Sequence, residues 1–218
     1  MAEQTSARAA VHGLVVGIVV LAVAGALAAR LGLAAIEVPR SASTAPWLFT
    51  RAAGITAFVA LALDVIIGLL VSTRTSGALF AKGAAVELHR WLSPLALGLV
   101  LGHVGLLLAD GYIRFDALDV LVPFASSYRP VAVGIGVVAA YLALVIHASF
   151  ALRKRLGART WRRLHYLSFV ALIGAALHGV LAGSDSGNAW VRALYAVPLV
   201  VVTALLALRL GRAFSTRR

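Results

Sequence analysis

Histidine dominates the chemistry open to this chain, because its usual competitors are missing. There is no cysteine, and the only methionine is Met1. That excludes disulfides, thiolate-bound iron–sulfur clusters and the C-x-x-C-H attachment of a c-type haem, and it removes methionine and cysteine as axial haem ligands. A redox metal would have to be held mainly by histidine. Six occur: His12, His89, His103, His147, His165 and His178. His89 and His103 are 14 residues apart, so on a helix they are separated by roughly 21 Å and rotated by about 320°, almost onto one face. His165 and His178 are 13 apart, roughly 20 Å along a helix but turned by about 220°. Ionisable residues inside membrane spans are costly and usually functional.

The elements that must position these histidines are apolar spans. Of 218 residues, 61% are hydrophobic and 13% charged, too few polar residues to cover a soluble domain. Six stretches approach the ~20 residues that cross a hydrocarbon core: Val11–Leu33, Trp47–Thr73, Val86–Ala109, Val131–Leu152, Leu164–Leu181 and Val191–Leu210. They are continuous rather than alternating in polarity, so they read as helices and not as barrel strands. The first, with Arg8 ahead of it and small residues at Ala26, Ala28 and Ala29, resembles a signal peptide, but its length favours a retained helix. The expected fold is therefore all-α, a six-transmembrane-helix bundle, with residues 1–218 forming one membrane domain.

Charge sets the orientation. The net charge is +12, from 20 Lys and Arg against 8 Asp and Glu. Basic residues beside apolar spans point to cytoplasmic loops and anionic lipid rather than to nucleic acid. With both termini inside, fourteen of the twenty basic residues fall on the inner side, including the run Arg153, Lys154, Arg155, Arg159, Arg162 and Arg163. The positive-inside rule thus places both termini in the cytoplasm. Outer loops hold Asp110, Asp116, Asp119 and Asp185, while Trp47, Trp91, Trp161 and Trp190 fall near span ends as interfacial anchors.

In that topology the third and fifth spans run the same way. His89 meets the depth of His165 near the cytoplasmic surface, and His103 meets His178 near the outer one. Two levels with two histidines each suit two bis-imidazole b-type haems, whose closed coordination favours electron transfer over oxygen binding. The 220° turn between His165 and His178 requires displaced haems or a locally irregular fifth helix. Glycines around the ligands (Gly98, Gly102 and Gly105; Gly174, Gly179 and Gly183) leave room for a macrocycle or simply allow close helix packing. His147, near the cytoplasmic end of the fourth span, could replace a ligand, touch a propionate, help bind quinone or only pack. Asp64, the one acid deep in a span, could relay protons or pair with a buried cation. Arg51, Arg90, Arg162 and Arg163 could hold propionates or only set topology. Gly134-Ile135-Gly136-Val137-Val138-Ala139 matches a dinucleotide fingerprint formally, but no strand precedes it.

The runs Leu88-His89-Arg90-Trp91-Leu92 through His103, and Trp161-Arg162-Arg163-Leu164-His165-Tyr166 through His178-Gly179, resemble the ferric-reductase-like transmembrane domain. That domain also forms the membrane part of NADPH oxidases and the haem subunit of the periplasmic methionine sulfoxide reductase system. Arg51-Ala52-Ala53-Gly54, Leu121-Val122-Pro123-Phe124 and Ala182-Gly183-Ser184-Asp185 add to the likeness, which covers about residues 45–210. The resemblance implies six helices, His89, His103, His165 and His178 as haem ligands, and electrons moving outward from a cytoplasmic donor. Members hold a small residue near the position of Asp64, so that acid departs from the pattern. With no flavin or nicotinamide site in this chain, the expected donor is a separate flavoprotein reductase or quinol. The acceptor is an extracytoplasmic protein or small molecule, and the chain an electron-transfer subunit of an oxidoreductase in the cell membrane. Two other functions compete: a metal-free proton relay or transporter using the histidines and Asp64, and a haem-containing sensor or anchor.

Overall fold

Long apolar runs broken by short polar turns can satisfy their backbone only within themselves, and the computed structural model accordingly consists of helices joined by tight connections. It describes residues 45–73 and 82–215; the predicted first span and His12 lie outside them. In chain order the helices are α1 (Ala45–Ser72), α2 (Lys82–Ala109), α3 (Ala117–Leu121), α4 (Pro130–Ala151), α5 (Arg153–His165), α6 (Leu167–Ala182) and α7 (Ala189–Ser215). Five segments among the described residues are long and apolar enough to cross a membrane, the fourth being α5 and α6 taken together. No strand occurs among the described residues.

Local chemistry explains the breaks. Pro130 opens α4, where its missing N–H costs nothing. Arg129 before it takes a left-handed φ of 42°, and its guanidinium reaches across to donate to the Leu181 carbonyl at 2.7 Å, closing the end of α6. Gly157 has φ 74° and ψ 154°, a conformation that glycine adopts freely, and it bends the basic helix α5. At Tyr166 the chain leaves α5 and enters α6 through an i→i+3 bond from Phe169 N–H to the Tyr166 carbonyl. The fifth predicted span is therefore two helices: His165 ends the first and His178 lies in the second. The ideal-helix rotation between these histidines does not apply across that junction.

Two helix pairs build the bundle. α1 packs along α2 and α4 along α6, with α1 also resting on α6 and α7. Phe58, Ala62, Val65 and Leu69 of α1, Leu172 and Ala176 of α6, and Val191, Tyr195 and Val202 of α7 form the main buried cluster. A smaller one gathers Phe115, Val133 and Val137 beneath the α2–α4 connection. There Asp110 is fully buried and accepts the N–H groups of Tyr112 and Ile113, so this acid shapes a turn. Leu101, Val131, Ile173 and Val200 stand at least half exposed on the long helices, as side chains facing lipid do. The histidine-bearing helices α2 and α6 do not pack closely on each other.

Candidate functional site

The four half-buried histidines predicted as ligands stand in two pairs, His89 and His103 of α2 opposite His165 at the end of α5 and His178 of α6. His103 and His178 have ring centroids 6.2 Å apart at an interplanar angle of 78°. His89 and His165 are 6.0 Å apart at 90°. Neither distance is a stacking contact.

Three of the rings are held by the same device. His103 Nδ1 donates to the Thr50 carbonyl at 2.8 Å, and His178 Nδ1 donates to the Ala132 carbonyl at 2.9 Å. His89 Nδ1 lies 3.1 Å from the Asp64 carbonyl. In each case the residue four positions after the acceptor, one turn along the same helix, is a glycine: Gly54, Gly136 and Gly68. A Cβ on Gly54 would stand 3.0 Å from the His103 ring, on Gly68 3.2 Å from the His89 ring, and on Gly136 2.5 Å from the His178 ring. The missing side chain thus lets an imidazole approach the helix closely enough to use a carbonyl already engaged in the helix. A carbonyl only accepts, so the proton sits on Nδ1 and the lone pair of Nε2 is left free.

His89 has a second acceptor. The carboxylate Oδ1 of buried Asp64 lies 2.7 Å from the same Nδ1. The hydrogen-bond geometry favours the carbonyl, and Oδ1 has no other hydrogen-bond partner. His165 is fixed differently: its ring stacks on Trp161 one turn earlier, centroids 5.2 Å apart and planes 23° apart.

Each pair borders its own cavity. That of His103 and His178 is largely apolar, its polar lining including Thr50, Arg51, Tyr128, Tyr195 and the Ser184–Ser186 turn. Arg51 and Asp185 form an ion pair at its edge. The cavity of His89 and His165 is also lined by Asp64, His147, Arg162, Tyr166 and Arg209. His147 is exposed but borders this cavity, at the depth expected. Arg90 does not border it; exposed, it pairs with Glu87 at 2.8 Å. Arg163 is exposed and is not among the lining residues. Among the described residues, no three His, Cys, Asp or Glu side chains gather as a bare metal ion would require.

Several site residues escaped the sequence reading. Gly98, Gly102 and Gly105, read as room for a macrocycle or as close helix packing, are exposed and border neither cavity, and a Cβ there would meet no protein atom within 4 Å. The glycines that matter lie on the facing helices, and one signal for them existed: Gly54 and Gly68 are spaced by the same 14 residues as His103 and His89, on an antiparallel neighbour. Trp161, read as an anchor, stacks on His165. Arg209, counted only for topology, lines the cavity and donates to the Tyr166 hydroxyl at 3.4 Å.

The model of one protein family, described as ferric reductase like transmembrane component, matches residues 53–176, more than half of the chain. The match takes in His89, His103 and His165 and stops two residues short of His178. No curated protein and no solved structure matches the chain.

Proposed function

Since the chain belongs to the ferric reductase-like transmembrane component family, a membrane electron-transfer role follows, and we propose that the two histidine pairs each hold one b-type haem. The observation that carries this reading is the spacing of the pairs. An imidazole nitrogen sits about 2 Å from the metal it ligates, so two rings facing each other across one iron are centred roughly 6 Å apart. The pairs stand at 6.0 and 6.2 Å. The donor chemistry agrees, because Nδ1–H bonding leaves Nε2 of His89, His103 and His178 free for iron. Two protein ligands per site suit a macrocycle that brings its own four nitrogens, and the separation of α2 from α6 leaves it a slot.

Haem bound by these histidine pairs would supply a one-electron carrier at each level. The protein's part is to hold the ligand rings at fixed angles through the three carbonyl–glycine cradles and the Trp161 stack. Its apolar helix faces keep water away from both levels. Arg162 and Arg209 border the inner cavity and Arg51 the outer one, where their charge favours the propionates. If both termini lie in the cytoplasm, as the basic residues favour, the level of His89 and His165 would take electrons from a flavoprotein or quinol, and the level of His103 and His178 would pass them to an extracytoplasmic acceptor. The chain then acts as the membrane subunit of a reductase.

The Asp64–His89 contact favours a proton relay as a second reading. It lacks a path: no Asp, Glu, His, Lys or Arg occurs in residues 52–63, 91–102 or 166–177, the stretches joining the two levels on α1, α2 and α6. The deciding experiment is the visible spectrum of the purified protein with haem quantified per chain. The expected result is a low-spin b-type spectrum with two haems. A colourless protein from haem-replete cells would sink the proposal in favour of the relay, and one haem per chain would mean a single occupied level.

A further inference from the structure

Of the three cradles, only one carries an ionisable side chain on its acceptor residue. Thr50 and Ala132 offer His103 and His178 a neutral carbonyl; Asp64 offers His89 a carbonyl and a carboxylate oxygen 2.7 Å from Nδ1. Resting on the two-haem reading above, we infer that Asp64 is a positioning residue that lowers the reduction potential of the inner haem below that of the outer one, and so gives electron flow its outward direction.

The argument concerns charge near a ligand. A carboxylate beside the Nδ1–H of a metal-bound imidazole draws that proton toward itself and makes the ring a stronger electron donor. A better donor stabilises the ferric more than the ferrous iron. The anion acts in the same sense through space, since in a poorly solvated interior a fixed negative charge opposes the arrival of an electron. Asp64 is buried, with 8% of its surface exposed, and apart from the contact with His89 Nδ1 its Oδ1 has no hydrogen-bond partner to dissipate its charge. At the other level neither ligand has an acid behind it, and the one nearby acid bordering that cavity, Asp185, is neutralised by Arg51. Transfer between the levels moves one electron: the inner site is oxidised and the outer reduced by one each. No bond forms or breaks, and no proton passes between His89 and Asp64. The electron is replaced from a cytoplasmic flavoprotein or quinol.

The test is a spectroscopically monitored redox titration of the purified full chain and of Asp64→Asn, Asp64→Ser and Asp64→Glu. The wild type is expected to show two midpoint potentials. In Asp64→Asn and Asp64→Ser the lower one rises while the upper one stays, and Asp64→Glu keeps the wild-type order. A tenfold change in the preference for ferric over ferrous iron, about 59 mV for one electron, is the size of shift expected. A lower potential that does not move, with both haems bound and low-spin, overturns the inference and leaves the two-haem reading intact. A shift confined to the upper potential also overturns it. So does loss of the inner haem from both uncharged variants, because Asp64 would then be needed for assembly rather than tuning. Absence of haem from the wild type overturns the reading on which the inference rests.

Discussion

The two histidine levels solve one problem by different means. At His103 and His178 both rings are tied to backbone carbonyls, both press on a glycine of the opposite helix, and an Arg51–Asp185 pair stands at the cavity edge. At His89 and His165 one ring is tied through Asp64 and the other only stacks on a tryptophan; Arg162, Arg209 and His147 border the cavity. The first level is fixed by backbone, which mutation can scarcely alter except at the glycines. The second keeps one such backbone tie, at His89, and adds side chains, Asp64 and Trp161, which mutation can retune. Rigid geometry and adjustable chemistry have been assigned to opposite ends of one bundle.

The sharpest way to break the comparison is to remove ligands. His103→Ala or His178→Ala is expected to remove the outer haem, half of the total, and to leave the inner spectrum. His89→Ala or His165→Ala does the reverse and also blocks reduction by a cytoplasmic donor, while a small reductant added outside still reduces the outer haem. If His147→Ala removes the inner haem while His165→Ala spares it, α4 supplies that ligand, and the assignment of the inner pair fails.

Glycine replacements test the cradles. Forcing a methyl group into a packed site costs about 1–3 kcal/mol, and the spaces here form a series. Gly136→Ala, with the Cβ 2.5 Å from the His178 ring, should perturb the outer haem most, followed by Gly54→Ala and then Gly68→Ala. Gly102→Ala, where the Cβ meets nothing, should leave both spectra unchanged. Electron paramagnetic resonance of the ferric haems reads ligand orientation directly, and an equal response at all four positions would remove the cradle argument.

A smaller effect is expected at Trp161. An aromatic pair contributes about 0.5–1.5 kcal/mol beyond its buried area, so Trp161→Leu should broaden or shift the inner signal without loss of haem. Smallest is Arg51→Gln. An ion pair whose side chains are 29% exposed is worth at most about 1 kcal/mol, so thermal stability should barely change. Faster reduction of the outer haem by a hydrophilic reductant is the expected trace of the opened edge.

Much of this arrangement was legible in the residues. The spans fall close to the observed α1, α2, α4, α6 and α7, because an apolar run of that length has few alternatives to a helix. The pairing of histidines followed from depth alone. What could not be read was contact between helices. The glycines flanking His103 on its own helix could be read as room for a ligand or as close packing, but a glycine makes space for whatever faces it, and Gly98, Gly102 and Gly105 are exposed and border neither cavity. The awkward rotation between His165 and His178 came from assuming one ideal helix, where the chain breaks at Tyr166. The proximity of Asp64 to His89 depends on the register between α1 and α2, which no local pattern specifies.

That register has a mechanical side. α1 and α2 are joined at two points, Thr50–His103 and Asp64–His89, roughly 21 Å apart by helix rise. A shaft held by two pins can neither slide nor turn, so these helices behave as a frame. α4 and α6 are pinned at one end only, by Ala132–His178, with Arg129–Leu181 close beside it. Their other end leads into the Tyr166 junction and the bent α5, and among the described residues no second side-chain-to-carbonyl bond joins α4 to α6 there. The frame holds one histidine of every pair, while His165 and His178 stand on the singly pinned side. Slow amide exchange along α1 and α2, with faster exchange around Tyr166, is the expected mark of that difference.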